Sequence, residues 1–193
     1  MAEHTSTPVR TAHDVAAERD RSGVVMQTDI VTSPFARGAL AFLRVVIGWF
    51  FLWPFFDKLF GLGYATPAER AWLNGGSPTA GFLSNAKGVF GGVFQAMAPA
   101  APFLDWIFMA GLLGIGVAVL LGAGLKIAAI TGTLLVGMMY LASFPWGQGG
   151  TNPLLTTHWV EAGSLITLAA TRAGDTFGLG RWWSRIVGDG ILR

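Results

Sequence analysis

The chain contains no cysteine. Disulfides, thiolate-held iron–sulfur clusters and thiol redox relays are therefore excluded together. Charge is scarce as well: 12% of the 193 residues are Asp, Glu, Lys or Arg, about half the share carried by an average soluble domain. Only three histidines are present. His4 and His13 fall in a polar N-terminal stretch and read as solvated side chains. His158 alone is left at apolar level, so a bis-histidine haem has no ligand pair. No tight spacing of His158 with carboxylates marks a metal site. The first 35 residues lack a continuous apolar run, so no signal peptide is expected. The basic residues are scattered and the net charge is only +2, which is no footprint for nucleic acid despite a pI of 9.4. There is no phosphate-binding loop. Gly178-Leu179-Gly180 is a short glycine pair, not a dinucleotide turn.

What the chain has in excess is apolar surface. Hydrophobic residues make up 52%, and the mean hydropathy is +0.53. One core of this size could not bury them all, so lipid must take the surplus. Four apolar runs are visible: Gly38 to Phe60, Ala101 to Leu121, Ile127 to Phe144 and Leu154 to Ala173. Each is near the roughly 20 residues that cross a bilayer as a helix. Gly122-Ala123-Gly124 joins the second and third too tightly for anything but a helical hairpin, and the runs do not alternate as barrel strands would. The expected fold is an all-α integral membrane protein, a four-helix transmembrane bundle.

Between the first and second runs lies a different segment, residues 61–100. Thr66-Pro67-Ala68-Glu69 reads as a capping box, Asn74-Gly75-Gly76 as a helix stop and Ser77-Pro78 as a second start. Trp72, Phe82, Phe90 and Phe94 make the segment amphipathic but too short to span. Short interfacial helices forming a lid are expected here. The domain reading is thus a disordered cytoplasmic tail over residues 1–35, the membrane domain over 36–175, and an interfacial tail over 176–193, where Trp182 and Trp183 stand beside Arg181 and Arg185.

Basic residues predict the orientation. Arg10, Arg19, Arg21, Arg37, Lys126, Arg172, Arg181, Arg185 and Arg193 fall on one side of a four-span topology; Lys58, Arg70 and Lys87 fall on the other. The positive-inside rule puts both termini in the cytoplasm. Asp57, Lys58, Asp105, His158 and Glu161 then share the outer level, beneath the lid. His158 and Glu161, three residues apart, share a helix face. Carboxylates inside a bilayer are costly unless paired or hydrated, so Asp105 and Glu161 are expected to face the interior. Two readings stand: a polar pocket that binds a small molecule or relays protons, or a cluster that only fixes helix packing. Arg44 lies about 20 Å of helix rise from Asp57. It either snorkels to the inner headgroups or takes an interior role. Met138-Met139 and the many phenylalanines read as packing.

Arg44-Val-Val-Ile-Gly48-Trp49-Phe-Phe-Leu52, followed by Asp57-Lys58-Leu59-Phe60, resembles the first helix of the DoxX/DoxD family. Trp72-Leu-Asn74-Gly75-Gly76-Ser77-Pro78-Thr79 with Gly81-Phe82-Leu83 resembles the segment after it in the DoxD branch. Asn152-Pro153 before His158, and Gly178-Leu179-Gly180-Arg181-Trp182-Trp183, are similar to the family's fourth helix and tail. The likeness covers about residues 38–185. It implies the large subunit of a thiosulfate:quinone oxidoreductase, with electrons passing from thiosulfate to membrane quinone and tetrathionate as product. It also implies a second, smaller subunit, or a membrane complex, as partner. On that reading His158 and Glu161 take the quinone-oxygen and proton roles, and Arg44, Asp57, Lys58 and Asp105 form the surrounding binding site. The rival expectation is a non-catalytic accessory or scaffold subunit of a respiratory or oxidative-stress complex. A transporter is disfavoured because no inverted repeat is visible.

Overall fold

The structure is a computed structural model that describes residues 23–144, 152 and 154–193. His4, His13, Arg10, Arg19, Arg21 and Pro153, named above, lie outside the described residues. Among those described there is no strand. The helices are α1 (Gln27–Ile30), α2 (Pro34–Phe60), α3 (Ala80–Ser84), α4 (Gly91–Met97), α5 (Ala101–Leu121), α6 (Leu125–Ala142), α7 (Thr157–Ala170) and α8 (Gly180–Val187).

Three of these are long and apolar enough to cross a membrane: α2, the run Gly91–Leu121 that ends in α5, and α6. The start of α2 is set by Ser33, whose Oγ accepts from the Ala36 N–H, with Pro34 in the first helical position. Gly61 ends it in the left-handed conformation. α5 begins at Ala101 and ends at Leu121, as the apolar run predicts. Gly122 and Gly124 both take positive φ, 72° and 73°, which is how three residues turn α5 into α6.

The fourth expected run is shorter than the sequence implied. The side chain of Asn152 accepts from the N–H groups of Leu154 and Leu155. This Asx turn holds the two leucines out of the helix. α7 therefore spans only Thr157–Ala170, 14 residues, or about 21 Å, less than the roughly 30 Å of a hydrocarbon core. It ends in a Schellman pair in which Arg172 N–H meets Ala169 O and Ala173 N–H meets Leu168 O. Arg172 occupies the left-handed position, at φ 52°, where glycine is usual.

Four helices close a ring. α2 packs on α5 and α6 on α7 most extensively, with α5–α6 and α2–α7 completing it. Ile47, Phe51, Leu112, Ile115, Val119, Val136, Leu165 and Leu168 fill the centre. The outward faces carry Phe42, Trp49, Phe103, Ile130 and Leu134, all exposed, the pattern of helices that meet lipid rather than water. α2 and α5 approach closely through two reciprocal notches. A methyl group on Gly48 would stand 2.7 Å from Leu120 Cγ, and one on Gly116 would stand 3.0 Å from Leu52 Cβ. Each glycine receives the other helix's leucine, as small residues do at helix contacts in membranes.

Residues 24–31, assigned to the mobile tail from composition, are docked instead. Gln27 is fully buried; its N–H donates to Asp175 Oδ2 at 2.8 Å, and its side-chain oxygen accepts from Thr176 Oγ1 at 2.6 Å. Arg193 donates to Val25 O at 2.6 Å and pairs with Asp175 at 3.0 Å. The N-terminal segment is thus held by hydrogen bonds to both members of a buried C-terminal ion pair, which no local pattern signals.

Candidate functional site

At the end of the bundle opposite α8, the segment between α2 and α5 folds over the helices as a lid. It differs in detail from the expected capped helices. Pro67 is extended (ψ 158°), so the turn begins at Ala68 and Thr66 makes no side-chain cap. Residues 68–74 form two three-residue 3-10 turns, and Gly75 closes them at φ 86°. Ser77 does start a helix: its Oγ accepts from the Ala80 N–H ahead of α3. Leu83, Ala86 and Phe94 pack against Ala101 and Ala142 as a small second core.

Two aspartates hold this lid. Asp57, near the end of α2, accepts from the N–H groups of Tyr64 at 3.2 Å and Ala65 at 3.0 Å. Asp105, in the second turn of α5, accepts from the N–H and hydroxyl of Thr79 at 2.8 and 2.7 Å and from Ser77 Oγ at 2.7 Å. Both carboxylates are buried. Their lone pairs are met by donors, which is what makes their burial tolerable. Asp105 was expected in the binding site itself; it stands behind the wall and positions Thr79. The sequence marks Ser77 only as a helix start and Thr79 only within a motif; neither is expected to meet Asp105, since they lie 28 and 26 residues from it.

Under the lid lies a cavity of about 580 Å³. Its walls are mostly apolar: Phe51, Phe94, Leu112, Val136 and Met139 among others. Pro54, inside α2, also faces it. The charged and titratable groups on the wall are Asp57, Lys58, Tyr64, His158 and Glu161. Four of the five residues expected at the outer level therefore line one space, with Asp105 one layer behind. His158 Nδ1 lies 3.4 Å from Glu161 Oε2, one turn apart on α7. Glu161 is buried. Lys58 is half-buried, with the charge of the neighbouring Asp57 carboxylate acting on it. The arrangement places an imidazole–carboxylate pair and an ammonium group on the walls of a mostly apolar cavity.

Arg44 does not belong to this site. It is buried (1% exposed) at the other end of the bundle. Its Nη1 donates to Val119 O at 3.0 Å and also to Leu120 O, and its Nη2 donates to Phe177 O at 2.7 Å. The interior role is the one it takes: its charge satisfies the open carbonyls at the C-terminus of α5. Beyond it, Arg172 and Arg193 converge on Asp189, and Lys126 donates to Asp189 O and Gly190 O. Among the described residues no cluster of three or more histidine or acidic side chains could hold a metal. No family model, curated protein or solved structure matches the chain.

Proposed function

We propose that this chain is a membrane-embedded, quinone-linked oxidoreductase subunit of the DoxX/DoxD type. In this reading it spans the cytoplasmic membrane four times with both termini inside. The outward apolar residues Trp159, Val160 and Ile166 support α7 as the fourth span.

The observation that carries the reading is the lidded cavity with His158 and Glu161 on one wall and Lys58 on another. A quinone is a flat apolar ring with two carbonyl oxygens, and its reduction takes up two electrons and two protons. The cavity's apolar walls suit the ring. His158 serves as hydrogen-bond partner of one oxygen, and Glu161 holds and replenishes the proton through the 3.4 Å contact. Lys58 favours the build-up of negative charge on the ring. Electrons come from thiosulfate by resemblance, two ions joining through an S–S bond as tetrathionate. A smaller subunit or a larger membrane complex is the expected partner.

Glu161→Gln tests this reading, because the amide keeps the shape but cannot carry the proton. Quinone reduction should fall about a hundredfold while thermal unfolding in detergent stays cooperative. Turnover is measured with thiosulfate and other donors, with candidate partner subunits added. Unchanged turnover in the variant removes Glu161 from the chemistry.

A second reading, a non-catalytic accessory subunit, draws on the structural use of Asp57 and Asp105. It gains if the wild-type protein turns over no donor even with partners present.

A further inference from the structure

A second concavity runs along the outside of the bundle between α6 and α7. Its volume is about 970 Å³. It extends from Lys126, at the start of α6, to Tyr140 and His158 at the lid end. Along α6 that is about 21 Å of rise, most of a leaflet-to-leaflet path. Between the ends its walls include Ile130, Leu134 and Ile166, with Thr133 the hydroxyl among them.

The polar groups at the ends are already engaged. Lys126 Nζ donates to Asp189 O at 2.9 Å and Gly190 O at 3.1 Å. Tyr140 donates to Leu154 O at 2.7 Å. A charged lipid headgroup therefore finds little to bind here, whereas a hydrocarbon chain needs nothing polar. Three residues, Val136, Met138 and His158, line both this groove and the lidded cavity. The two spaces thus share a wall at the one histidine of the site.

We propose that the groove seats the isoprenoid chain of the molecule whose head occupies the cavity, the chain passing out beside His158. The ligand then comes from the bilayer, between α6 and α7, and not from water. This rests on the quinone reading for the identity of the head and adds where its tail lies and how it arrives.

Gly137 gives a clean test. It lines the groove, and a methyl group there would meet nothing within 4 Å, so Gly137→Phe fills the groove without disturbing the core. Three probes are compared on purified wild-type and variant protein: a tail-less dimethoxybenzoquinone, the same ring bearing a polyprenyl chain with a terminal diazirine, and that chain as an alcohol without the ring. The tailed quinone should crosslink to the stretch from Ile130 to Leu141 or to Ile166. Gly137→Phe should weaken its binding about tenfold and leave the tail-less ring unaffected. Ile130→Trp, at an exposed position, serves if the first variant does not fold, and the wild-type crosslink sites decide independently of either. If the tail-less ring binds but the tailed probe labels elsewhere, the groove proposal falls and the quinone reading survives. If the ringless alcohol labels the groove equally well, the groove is ordinary lipid-facing surface and the proposal is overturned. If neither quinone binds, both fall together.

Discussion

Arg44 on α2 donates from Nη1 to the Val119 carbonyl on α5 at 3.0 Å, and from Nη2 to Phe177 at 2.7 Å in the turn that precedes α8. One side chain thereby joins three elements at the end of the bundle remote from the cavity. Arg44→Lys keeps the charge but replaces a fork by a single nitrogen. We expect a loss of about 2 kcal/mol, read as a lowered unfolding temperature in detergent. On the quinone reading, affinity for quinone should be unchanged, since the residue is outside the cavity; a selective loss of affinity would restore it to the binding site.

The lid makes a contrasting pair of predictions. Asp105→Asn turns an acceptor of Ser77 and Thr79 into a partial donor in a buried place. The lid should open more readily, by about 1–3 kcal/mol, seen as faster hydrogen exchange over residues 77–84. Thr66→Ala should leave exchange there untouched, because Thr66 caps nothing. Equal effects of the two would undo the assignment of Asp105.

Helix proximity is tested at the α2–α5 notches. Gly48→Ala places a methyl group 2.8 Å from the Leu120 backbone nitrogen, so the helices must part. A loss of about 1–3 kcal/mol is expected from such overpacking. Gly38→Ala, on the same helix with nothing within 4 Å, is the control that should be neutral or stabilising by up to about 1 kcal/mol.

The charged cluster at the opposite end from the lid responds to pH through Asp189. Burial alone would raise its pKa, but hydrogen bonds from Arg172 and Arg193, and their charges, outweigh that and hold the carboxyl below its ordinary value. A carboxyl lower in the folded protein than in the unfolded chain stabilises above the unfolded value of about 4. Its contribution is lost as the pH falls through the folded value. Hydrogen exchange over residues 188–193 should therefore rise, beyond its intrinsic pH dependence, as the pH drops below about 4. Asp189→Asn should exchange fast at every pH and lose this response.

The proposed four-span topology is checked by labelling. Glu69 in the lid and Arg185 on α8 are both exposed. Cysteines placed singly at these positions should differ in intact cells, only the one at Glu69 reacting with an impermeant reagent. Ser184, beside Arg185, is unsuitable because it is buried with its hydroxyl on Arg181 O.

Much of this architecture was legible where the signal is local. The bounds of α5 followed from an uninterrupted apolar run, and the α5–α6 turn from two glycines that tolerate positive φ. The grouping of Asp57, Lys58, His158 and Glu161 at one end of the bundle followed from alternating helix direction alone. What failed did so for identifiable reasons. Leu154 and Leu155 count towards a span by hydropathy, yet one asparagine side chain diverts them. Thr66 precedes an extended proline and so sits a residue too early to cap. Arg44 and Asp105 find their partners on distant elements, and no spacing within a helix encodes that.

The two lid-holding aspartates also imply an order of assembly. Asp57 fixes one flank of the lid from α2, and Asp105 fixes the other from α5. Until those helices have met, the two anchors are not at one end of anything, and the segment between them has nowhere to close. Closure is therefore a late event that certifies the pairing beneath it. A copy whose α2 and α5 failed to dock would present residues 64–79 as open backbone to proteases on whichever side the lid faces, while a finished copy would hold that backbone on its two aspartates.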